Sequence, residues 1–357
     1  MAATDQIASS GTPRVSVIMT AYQDLRFIDA AVKSILAQTY ADFELIVFDD
    51  GNGANGRDVF ARLAALDPRI RIVGSDRNLG TYAAANRAIA GARGAIIARL
   101  DADDLARPTR LARLVAALDA DSELGLVGSW AARISETGEA RAPWQTPTTD
   151  LLVRWTILFL NPFCHSTVAF RRTCFDAVGG YNSTMTASGD YELWWKMLDV
   201  CRAENIPEIL ADYRINSRGM TAAKSSHRRQ PTDPLRSRSW QRLGLEYEPD
   251  LVPHLADFLS GGKISASDMR VPAYRTVLML LRRFLSASGP AKRGADAASA
   301  QRLKSEIVGR VLADSSIAYI ALIRLWPLCW RIDRRVAVSA LPRVLFRRRR
   351  HSLAALS

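Results

Sequence analysis

The sequence predicts an α/β protein with a mainly parallel central sheet and a basic, helical C-terminal extension. Two observations support this prediction. Up to residue 217, short apolar runs alternate with stretches whose apolar residues recur at helical spacing, as in strands joined by crossover helices. Positive charge is concentrated later in the chain. Residues 1–217 contain 22 Lys and Arg against 26 Asp and Glu, whereas residues 218–357 contain 26 against 10.

The predicted elements of the first part follow one another in strand–helix order. Val15–Thr20 predicts the first strand, and Leu25, Ile28 and Val32 then lie on one face of a helix. Further strands are predicted at 43–48, 70–73, 95–100 and 124–130, and helices at 58–66, at 81–90 and from Pro108 onwards. Ligands of such sheets bind at the carboxyl ends of the strands, so we expect the functional site there.

A change of composition predicts the domain boundary. Ser217–Pro234 is polar, basic and rich in residues that interrupt regular structure. We therefore predict a flexible tail at 1–13, a catalytic domain at 14–217 and a helical, basic region at 218–357. Within that region, helices are predicted at 235–245, 274–285 and 301–330, with a linker of small residues at 286–300.

The cysteines and the N-terminus predict the compartment. The four cysteines (Cys164, Cys174, Cys201 and Cys329) are far apart and form no CxxC pair, which favours neither a disulfide framework nor a zinc ribbon. Residues 1–14 contain no apolar stretch of the kind that directs secretion. We therefore expect a cytoplasmic protein in a reducing compartment.

A glycine-rich loop offers one interpretation of the site. Gly51–Gly56 matches the GxGxxG pattern of dinucleotide-binding enzymes, between a predicted strand and a predicted helix. Asp49 and Asp50 stand at the mouth of the same loop, where a pyrophosphate would meet negative charge. An NAD(P)-dependent oxidoreductase remains an alternative, and a plain turn after a strand would use the same glycines.

Paired carboxylates offer another interpretation. Asp101-Ala102-Asp103-Asp104 directly follows a predicted buried strand, and such carboxylates suit a hard divalent cation that also coordinates phosphate oxygens. Asp119-Ala120-Asp121 repeats the DxD pattern at the end of a predicted helix. Because only the first copy closes a buried strand, we place the site there and expect the second copy to face solvent.

Six segments, in chain order, resemble the inverting family 2 glycosyltransferases of the GT-A fold. They are Val15–Tyr22, Phe48–Gly51, Arg77–Asn86, Arg99–Asp104, Asn161–Ser166 with Gly179–Tyr181, and Gly189–Trp194. The resemblance covers roughly residues 14–217 and implies transfer of a sugar from a nucleotide-diphosphate donor. Two departures are visible: Asn52 stands where the family commonly has a serine, and Asn216 where many members have a histidine.

The resemblance also implies roles for particular residues. Donor contacts are expected from the strand-end and helix-opening segments: Thr20, Tyr22, Asp50, Asn78, Gly80, Asn86, Arg99 and Asp101. Asp103 and Asp101 are expected to hold Mn²⁺ or Mg²⁺. A carboxylate at position 50 can accept the imide N–H of uracil, a donor that cytosine lacks, and this favours a UDP-sugar.

Asp190 and His165 each have two interpretations. Asp190 opens a predicted helix, where it is either a cap or, as the resemblance implies, the general base that deprotonates an acceptor hydroxyl. His165 precedes a strand predicted at Ser166–Phe170, and is either a structural histidine or a donor contact. We carry both as candidate site residues.

The C-terminal region suggests a further partner. Ser316–Trp330 is apolar but too short to span a bilayer, and basic residues follow it. It is either a membrane-surface segment at 315–350 or a helix packed on the catalytic domain, with a solvated basic tail. The expected partners are the sugar donor, a glycan or lipid-linked acceptor and an anionic membrane, which would make the enzyme peripheral on the inner face of the plasma membrane.

No nucleic acid is expected as a partner, because the basic region shows no recognised nucleic-acid-binding fold. A second alternative is a basic membrane- or nucleic-acid-binding protein without catalysis.

Overall fold

The computed structural model describes residues 11–218, 233–287, 294–317 and 319–342. They form two compact units. Among the described residues, the first unit comprises 11–148 and 162–218. The second unit comprises 149–161 and the residues from 233 onwards. The segment 149–161, which precedes the last strands of the sheet, thus belongs to the same unit as the C-terminal helices.

The first unit alternates strands and helices through its first half. The elements are β1 (Val15–Ala21), α1 (Ile28–Leu36), β2 (Phe43–Asp50), α2 (Ala54–Ala64), β3 (Ile70–Ser75), α3 (Thr81–Ala90), β4 (Ile96–Arg99), β5 (Leu105–Ala106) and α4 (Arg110–Ala120). The second half contains β6 (Leu124–Ile134), β7 (Ala169–Arg171), α6 (Arg172–Ala177), α7 (Gly189–Met197) and β8 (Arg202–Arg214). Between β6 and β7 the chain forms α5 (Asp150–Thr156), which belongs to the second unit.

One eight-stranded sheet organises this unit, in the order β3-β2-β1-β4-β7-β6-β8-β5. The first four strands are parallel, and β6 and β8 form a second parallel pair. The predicted α/β fold with a mainly parallel sheet is therefore confirmed. The antiparallel insertion of β7 between β4 and β6 is a feature that the strand–helix alternation does not predict.

The central strands are buried on both faces, which explains their continuous apolar runs. Val15, Val17 and Met19 of β1 are fully buried in one hydrophobic core. Helix α1 packs against this core through residues at helical spacing, Ile28, Ala31, Val32 and Ile35. The charged and polar residues are thereby left to the strand ends.

The segment before β7 differs from its prediction. His165–Thr167 forms a turn of 3₁₀ helix, and the strand runs over Ala169–Arg171 instead of Ser166–Phe170. The turn is closed by a hydrogen bond from the Thr167 N–H to the Cys164 carbonyl (2.9 Å). This turn aims two side chains, His165 and Ser166, at the carboxyl end of β4.

The second unit is helical. It contains α5 (Asp150–Thr156), α8 (Asp233–Arg242), α9 (Val252–Leu259), α10 (Arg270–Ala287), α11 (Gly294–Ala313), α12 (Tyr319–Ile332) and a further helix, α13, at 334–342. Its core includes edge-to-face aromatic pairs, Trp155 with Phe159 and Phe159 with Trp240. Within the described residues, no helix combines the length and apolarity that crossing a bilayer requires.

The helices predicted at 235–245 and 274–285 are present as α8 and α10. The single helix predicted at 301–330 is instead two helices, α11 and α12, because residues 314–317 are not helical, and the predicted linker at 286–300 is wrong from residue 294. Helix α11 begins at Gly294 because the alanines of 295–300 favour helix, although small residues also suit a linker. Part of the linker (288–293), most of the boundary segment (219–232), the N-terminal residues 1–10 and the basic stretch 343–350 lie outside the described residues.

Candidate active site

The carboxyl ends of β1, β2 and β4 meet at one edge of the sheet. Ala21 pairs with Asp49 of β2, and Ile18 pairs with Arg99 of β4 in the parallel register. Thr20, Asp50 and Asp101 therefore emerge at neighbouring strand ends. Predicted site residues from three separate segments are thus brought to one edge, as expected for an open α/β sheet.

Asp50 is buried and holds the turn that begins α3. Its carboxylate accepts hydrogen bonds from the Leu79 N–H (2.7 Å), the Gly80 N–H (3.1 Å) and the Asn78 side-chain amide (2.9 Å). Burial raises the pKa of Asp50 and the charge of Asp49 adds to this, while the two backbone donors oppose it. Three predicted donor contacts, Asp50, Asn78 and Gly80, thus form one hydrogen-bonded group.

The glycine-rich loop is held in place by hydrogen bonds of its own Asn52. Asn52 donates to the Ala21 carbonyl (3.0 Å) and to the Asp49 carboxylate (2.7 Å), and its carbonyl accepts the Gln23 N–H (2.7 Å). Gly51 has a φ of 86°, and a Cβ there would lie 2.5 Å from the backbone of Arg77. The glycine is needed because another loop crosses it closely, which is a structural use of the GxGxxG pattern.

Thr20 and Tyr22 flank this loop at the end of β1. Thr20 is half-buried, whereas Tyr22 is 44% exposed and its hydroxyl accepts a hydrogen bond from the Gln23 side chain (3.0 Å). An exposed aromatic ring at a strand end is available for stacking on a flat ligand.

Asp101 sits in a cationic pocket. Its Oδ1 accepts from Nη2 of the fully buried Arg99 (3.1 Å) and lies 3.5 Å from Nδ1 of His165. Burial raises the pKa of Asp101, but the charges and hydrogen bonds of His165, Arg99 and Ser166 outweigh it and hold that pKa below its ordinary value. Asp101 is therefore ionised.

Asp103 and Asp104 differ from Asp101 in the direction of their pKa shifts. Burial and the negative charge of Asp101 raise the pKa of Asp103, against a hydrogen bond from Asn216. Burial and the charges of both other aspartates raise the pKa of Asp104 well above its usual range. Asp104 accepts the Arg214 N–H (2.7 Å) through Oδ1, while Oδ2 has no hydrogen-bond partner among the described residues.

Asn216 links Asp103 to the loop that follows β1. Its amide donates to Asp103 Oδ2 (3.0 Å) and to Asp24 Oδ2 (3.2 Å). Arg26 bridges Asp24 and Glu136. The pKa of Asp24 is lowered to about 2, chiefly by its hydrogen bond with the Arg26 side chain. The position at which this chain departs from the family's histidine therefore contacts Asp103 directly.

His165 and Asn86 both contact Tyr181, and His165 also lies beside Asp101. His165 Nε2 lies 2.8 Å from the Tyr181 hydroxyl, so the ring connects Asp101 with a buried tyrosine. The Asn86 amide donates to the Tyr181 carbonyl (2.8 Å) and its carbonyl accepts the Tyr181 N–H (3.0 Å). Both residues thus help to position Tyr181. The side-chain amide of Asn86 does so by hydrogen bonds to the Tyr181 backbone.

Asp190 lies in the first turn of α7, but it does not occupy the cap position. Ser188 is the N-cap, in the left-handed region with a φ of 58°, and makes no side-chain cap hydrogen bond. Gly189 packs on Tyr82, since a Cβ there would lie 2.7 Å from the ring. Burial and the charge of Asp190 raise the pKa of Tyr82. The interpretation of Asp190 as the N-cap is therefore wrong.

Three residues of this edge were not selected from the sequence as site residues. Tyr82 and Tyr181 stack at 5.6 Å, and Asn216 touches Asp103. Asn216 carried a signal, since the sequence departs there from the family pattern. The two tyrosines lie in segments that carry the family resemblance, but no local pattern predicts their contact, because they are distant in sequence and only the tertiary fold brings them together.

The second DxD copy lies elsewhere. Asp119 is in the last turn of α4 and pairs with Arg14, with both side chains about half exposed, at 45% and 47%. Asp121 follows that helix and pairs with Arg202. This copy is outside the group of strand ends, as predicted.

An open α/β sheet with acidic, hydrogen-bonded loops at its carboxyl edge places the site where α/β enzymes of this architecture bind their ligands. Comparisons with known proteins make this specific. The Glycosyl transferase family 2 model matches residues 16–179. The O-antigen biosynthesis glycosyltransferase WbnJ of Escherichia coli is 32% identical over 217 residues, covering 57% of this chain and 80% of that protein.

Two further relatives extend the comparison. An Escherichia coli protein named UDP-Gal:alpha-D-GlcNAc-diphosphoundecaprenol beta-1,3-galactosyltransferase is 26% identical over 212 residues, covering 58% of this chain and 76% of that protein. The solved structure of S. aureus TarS 1-349 in complex with UDP-GlcNAc has a TM-score of 0.54 at 15% identity and covers 91% of each chain.

The chain belongs to glycosyltransferase family 2. It is a glycosyltransferase with the GT-A fold. The oxidoreductase and non-catalytic alternatives are therefore wrong.

Proposed function

We propose that the enzyme transfers a glycosyl group, with inversion, from a nucleoside-diphosphate sugar to an acceptor hydroxyl. The observation that carries the proposal is the Asp101–Asp104 turn at the carboxyl end of β4, beside the ends of β1 and β2. Donor contacts are assigned to Thr20 and Tyr22 on β1 and to the arginine and aspartate that close β4, Arg99 and Asp101.

Five other residues are proposed to position the groups that bind the donor. Asp50, Asn78 and Gly80 form the hydrogen-bonded rim on which the nucleotide base would lie. Asn86 and His165 hold the Tyr181 segment and Asp101. Their role in donor binding is thus mainly one of positioning.

The acidic turn fits a divalent cation, Mn²⁺ or Mg²⁺. Burial and mutual repulsion raise the pKa values of Asp103 and Asp104, and a cation would relieve that repulsion. Asp103 would hold it together with Asp101. The described residues contain no cluster of three or more acidic, histidine or cysteine ligands, so donor phosphate oxygens are expected to complete the coordination. A bound cation supplies positive charge opposite the leaving diphosphate.

Asp190 is proposed as the general base. The acceptor hydroxyl oxygen attacks the anomeric carbon, its proton passes to the Asp190 carboxylate, and the bond between the sugar and the diphosphate breaks. The nucleoside diphosphate leaves with the bonding electrons. Attack opposite the leaving group inverts the configuration at the anomeric carbon.

The proposed donor is a UDP-sugar and the proposed acceptor is a cell-envelope glycan or a lipid-linked saccharide. The names of two relatives support this, since one is assigned to O-antigen biosynthesis and the other uses UDP-Gal and a diphosphoundecaprenol-linked acceptor. With such an acceptor, we propose that the enzyme works in the cytoplasm, peripherally bound to the inner face of the plasma membrane.

The Asp190→Asn variant tests the mechanism. The amide keeps nearly the same shape but cannot accept the acceptor's proton, so turnover should fall by about 10²- to 10⁴-fold. Nucleotide affinity should stay within about twofold, because the base faces the acceptor. Transfer rate from a panel of nucleotide sugars, calorimetric affinity for UDP and melting temperature should be measured on the same preparation. Near-normal transfer by this variant would remove Asp190 from the mechanism.

A further inference from the structure

The two last described helices, α12 and α13, carry an exposed apolar stripe. Ile323 and Trp330 lie two turns apart on α12, and Val338 and Leu341 lie one turn apart on α13. Their exposed fractions are 48%, 38%, 48% and 41%. They are four of the eight large apolar side chains that are exposed among the described residues, and the other four are scattered over the first unit.

The opposite face of the same helices is already packed. Leu322, Leu325, Cys329 and Ala337 are buried, at intervals of three, four and eight residues. Asp333, the acid between the helices, is only 5% exposed and accepts hydrogen bonds from Gln301 (3.0 Å) and Ser305 (2.8 Å) of α11. The stripe is therefore a second apolar face, in addition to the one that holds the helices in their unit.

Arginines flank this stripe. Arg324, Arg331, Arg334 and Arg335 are all exposed, and the guanidinium of Arg334 lies over the Trp330 ring at 5.0 Å. Asp333 is the one acid in 319–342, and it is withdrawn from the surface. The face thus combines apolar side chains, a tryptophan and uncompensated positive charge.

We infer that this face, which we call the arginine–tryptophan face (Ile323, Arg324, Trp330, Arg331, Arg334, Arg335, Val338 and Leu341), lies in the interface of an anionic lipid bilayer. The apolar side chains enter the acyl boundary, the tryptophan takes the headgroup level, and the arginines meet lipid phosphates. Charge complementarity favours this occupant over a second copy of the chain, because two copies would oppose their arginines.

The inference rests on the proposed function in one respect: membrane binding by this face would bring the active site to a lipid-linked acceptor. It identifies the surface that would do so.

Two matched pairs of variants test the face on the full chain. Ile323→Glu/Val338→Glu is compared with Leu66→Glu/Val200→Glu, which changes charge equally at apolar residues of similar exposure (43% and 50%) in the first unit. Arg331→Gln/Arg335→Gln is compared with Arg57→Gln/Arg87→Gln, also exposed. Binding is measured by flotation with vesicles of phosphatidylcholine alone or mixed with phosphatidylglycerol.

The unaltered chain should float only with the phosphatidylglycerol vesicles, and less in high salt. The first variant should lose more than about tenfold in partitioning. The arginine variant should lose about fivefold per residue, and both controls should match the unaltered chain. An unaltered chain that fails to bind these vesicles at low salt, or a face variant that binds as well as its control, would overturn the inference.

Light scattering separates the alternative occupant. A dimer that becomes a monomer in Ile323→Glu/Val338→Glu, with no vesicle binding, would assign the face to a second copy and overturn the inference. UDP-induced thermal stabilisation of each variant reports an intact first unit. Absence of UDP binding in every protein would contradict the proposed function while leaving the vesicle result to stand on its own.

Discussion

The same tripeptide, Asp-Ala-Asp, occurs twice in this chain and is used in two different ways. Asp101-Ala102-Asp103 follows strand β4 at the carboxyl edge of the sheet, whereas Asp119-Ala120-Asp121 closes helix α4. The first copy lies beside a fully buried arginine, a histidine and one further carboxyl group, that of Asp104. The second forms ordinary ion pairs with Arg14 and Arg202.

The difference between the copies is electrostatic. In the first, burial and neighbouring charges move the pKa values of two adjacent acids apart, lowering that of Asp101 and raising that of Asp103. Such divergence is typical of sites that bind or transform charged groups. In the second, each carboxylate has one arginine partner and access to water. The position of the motif on the fold, and not its sequence, sets its chemistry.

The sharpest test of this comparison exchanges one acid in each copy. Asp103→Asn should reduce glycosyl transfer by about a hundredfold or more, because charge on the leaving diphosphate loses its counterion. Calorimetry should also show that Mn²⁺ no longer strengthens UDP binding. Asp119→Asn is the matched control, and both quantities should be unchanged in it.

Equal UDP affinity with and without Mn²⁺ in the unaltered enzyme would contradict the assignment of a cation to Asp103. Equal loss of transfer in Asp103→Asn and Asp119→Asn would remove the distinction between the two copies.

Local pattern predicted the first copy's position well. The strand before it and the helices on either side depend on apolar periodicity within a single segment, so they could be predicted for β1 to β4. The register that places Asp50 and Asp101 at one edge follows from parallel pairing. The site is predictable to this extent because it is assembled from strand ends.

What could not be predicted depends on contacts between distant segments. Ser188, and not Asp190, is the N-cap of α7, and the next residue, Gly189, packs on the ring of Tyr82, which is distant in sequence. Likewise, Asn216 reaches Asp103 only through the path of β8 along β6. No local pattern encodes either contact.

A second test concerns stability and isolates Asp104, the acid that directly follows the first copy. Its pKa is raised in the folded state, so stability falls as pH rises from the unfolded-state pKa near 4 through the folded-state value. Asp104→Asn should therefore raise the free energy of unfolding at pH 8, with the gain vanishing towards pH 4. Urea unfolding at several pH values measures this. A gain that is independent of pH would show that the charge of Asp104 is not its cause.

The smallest effect is expected at the second copy. Asp121→Asn removes one partner of Arg202, which keeps its ion pair with Glu204 at 2.7 Å. A partly exposed pair of this kind contributes about 0 to 1 kcal/mol, so the melting temperature should change by a few degrees at most and transfer should be unaffected. A larger loss of stability, or any loss of activity, would mean that the copy has a role that its ion pairs do not show.

The hydrogen bonds of Asn52 and Asp50 have a consequence for the thermodynamics of donor recognition. Asn52 ties the loop after β1 to the end of β2, and Asp50 ties the end of β2 to the start of α3. The rim that would receive the nucleotide is thus ordered as part of folding. The conformational entropy of these loops is already lost before the donor arrives, and more of the contact free energy can appear as affinity.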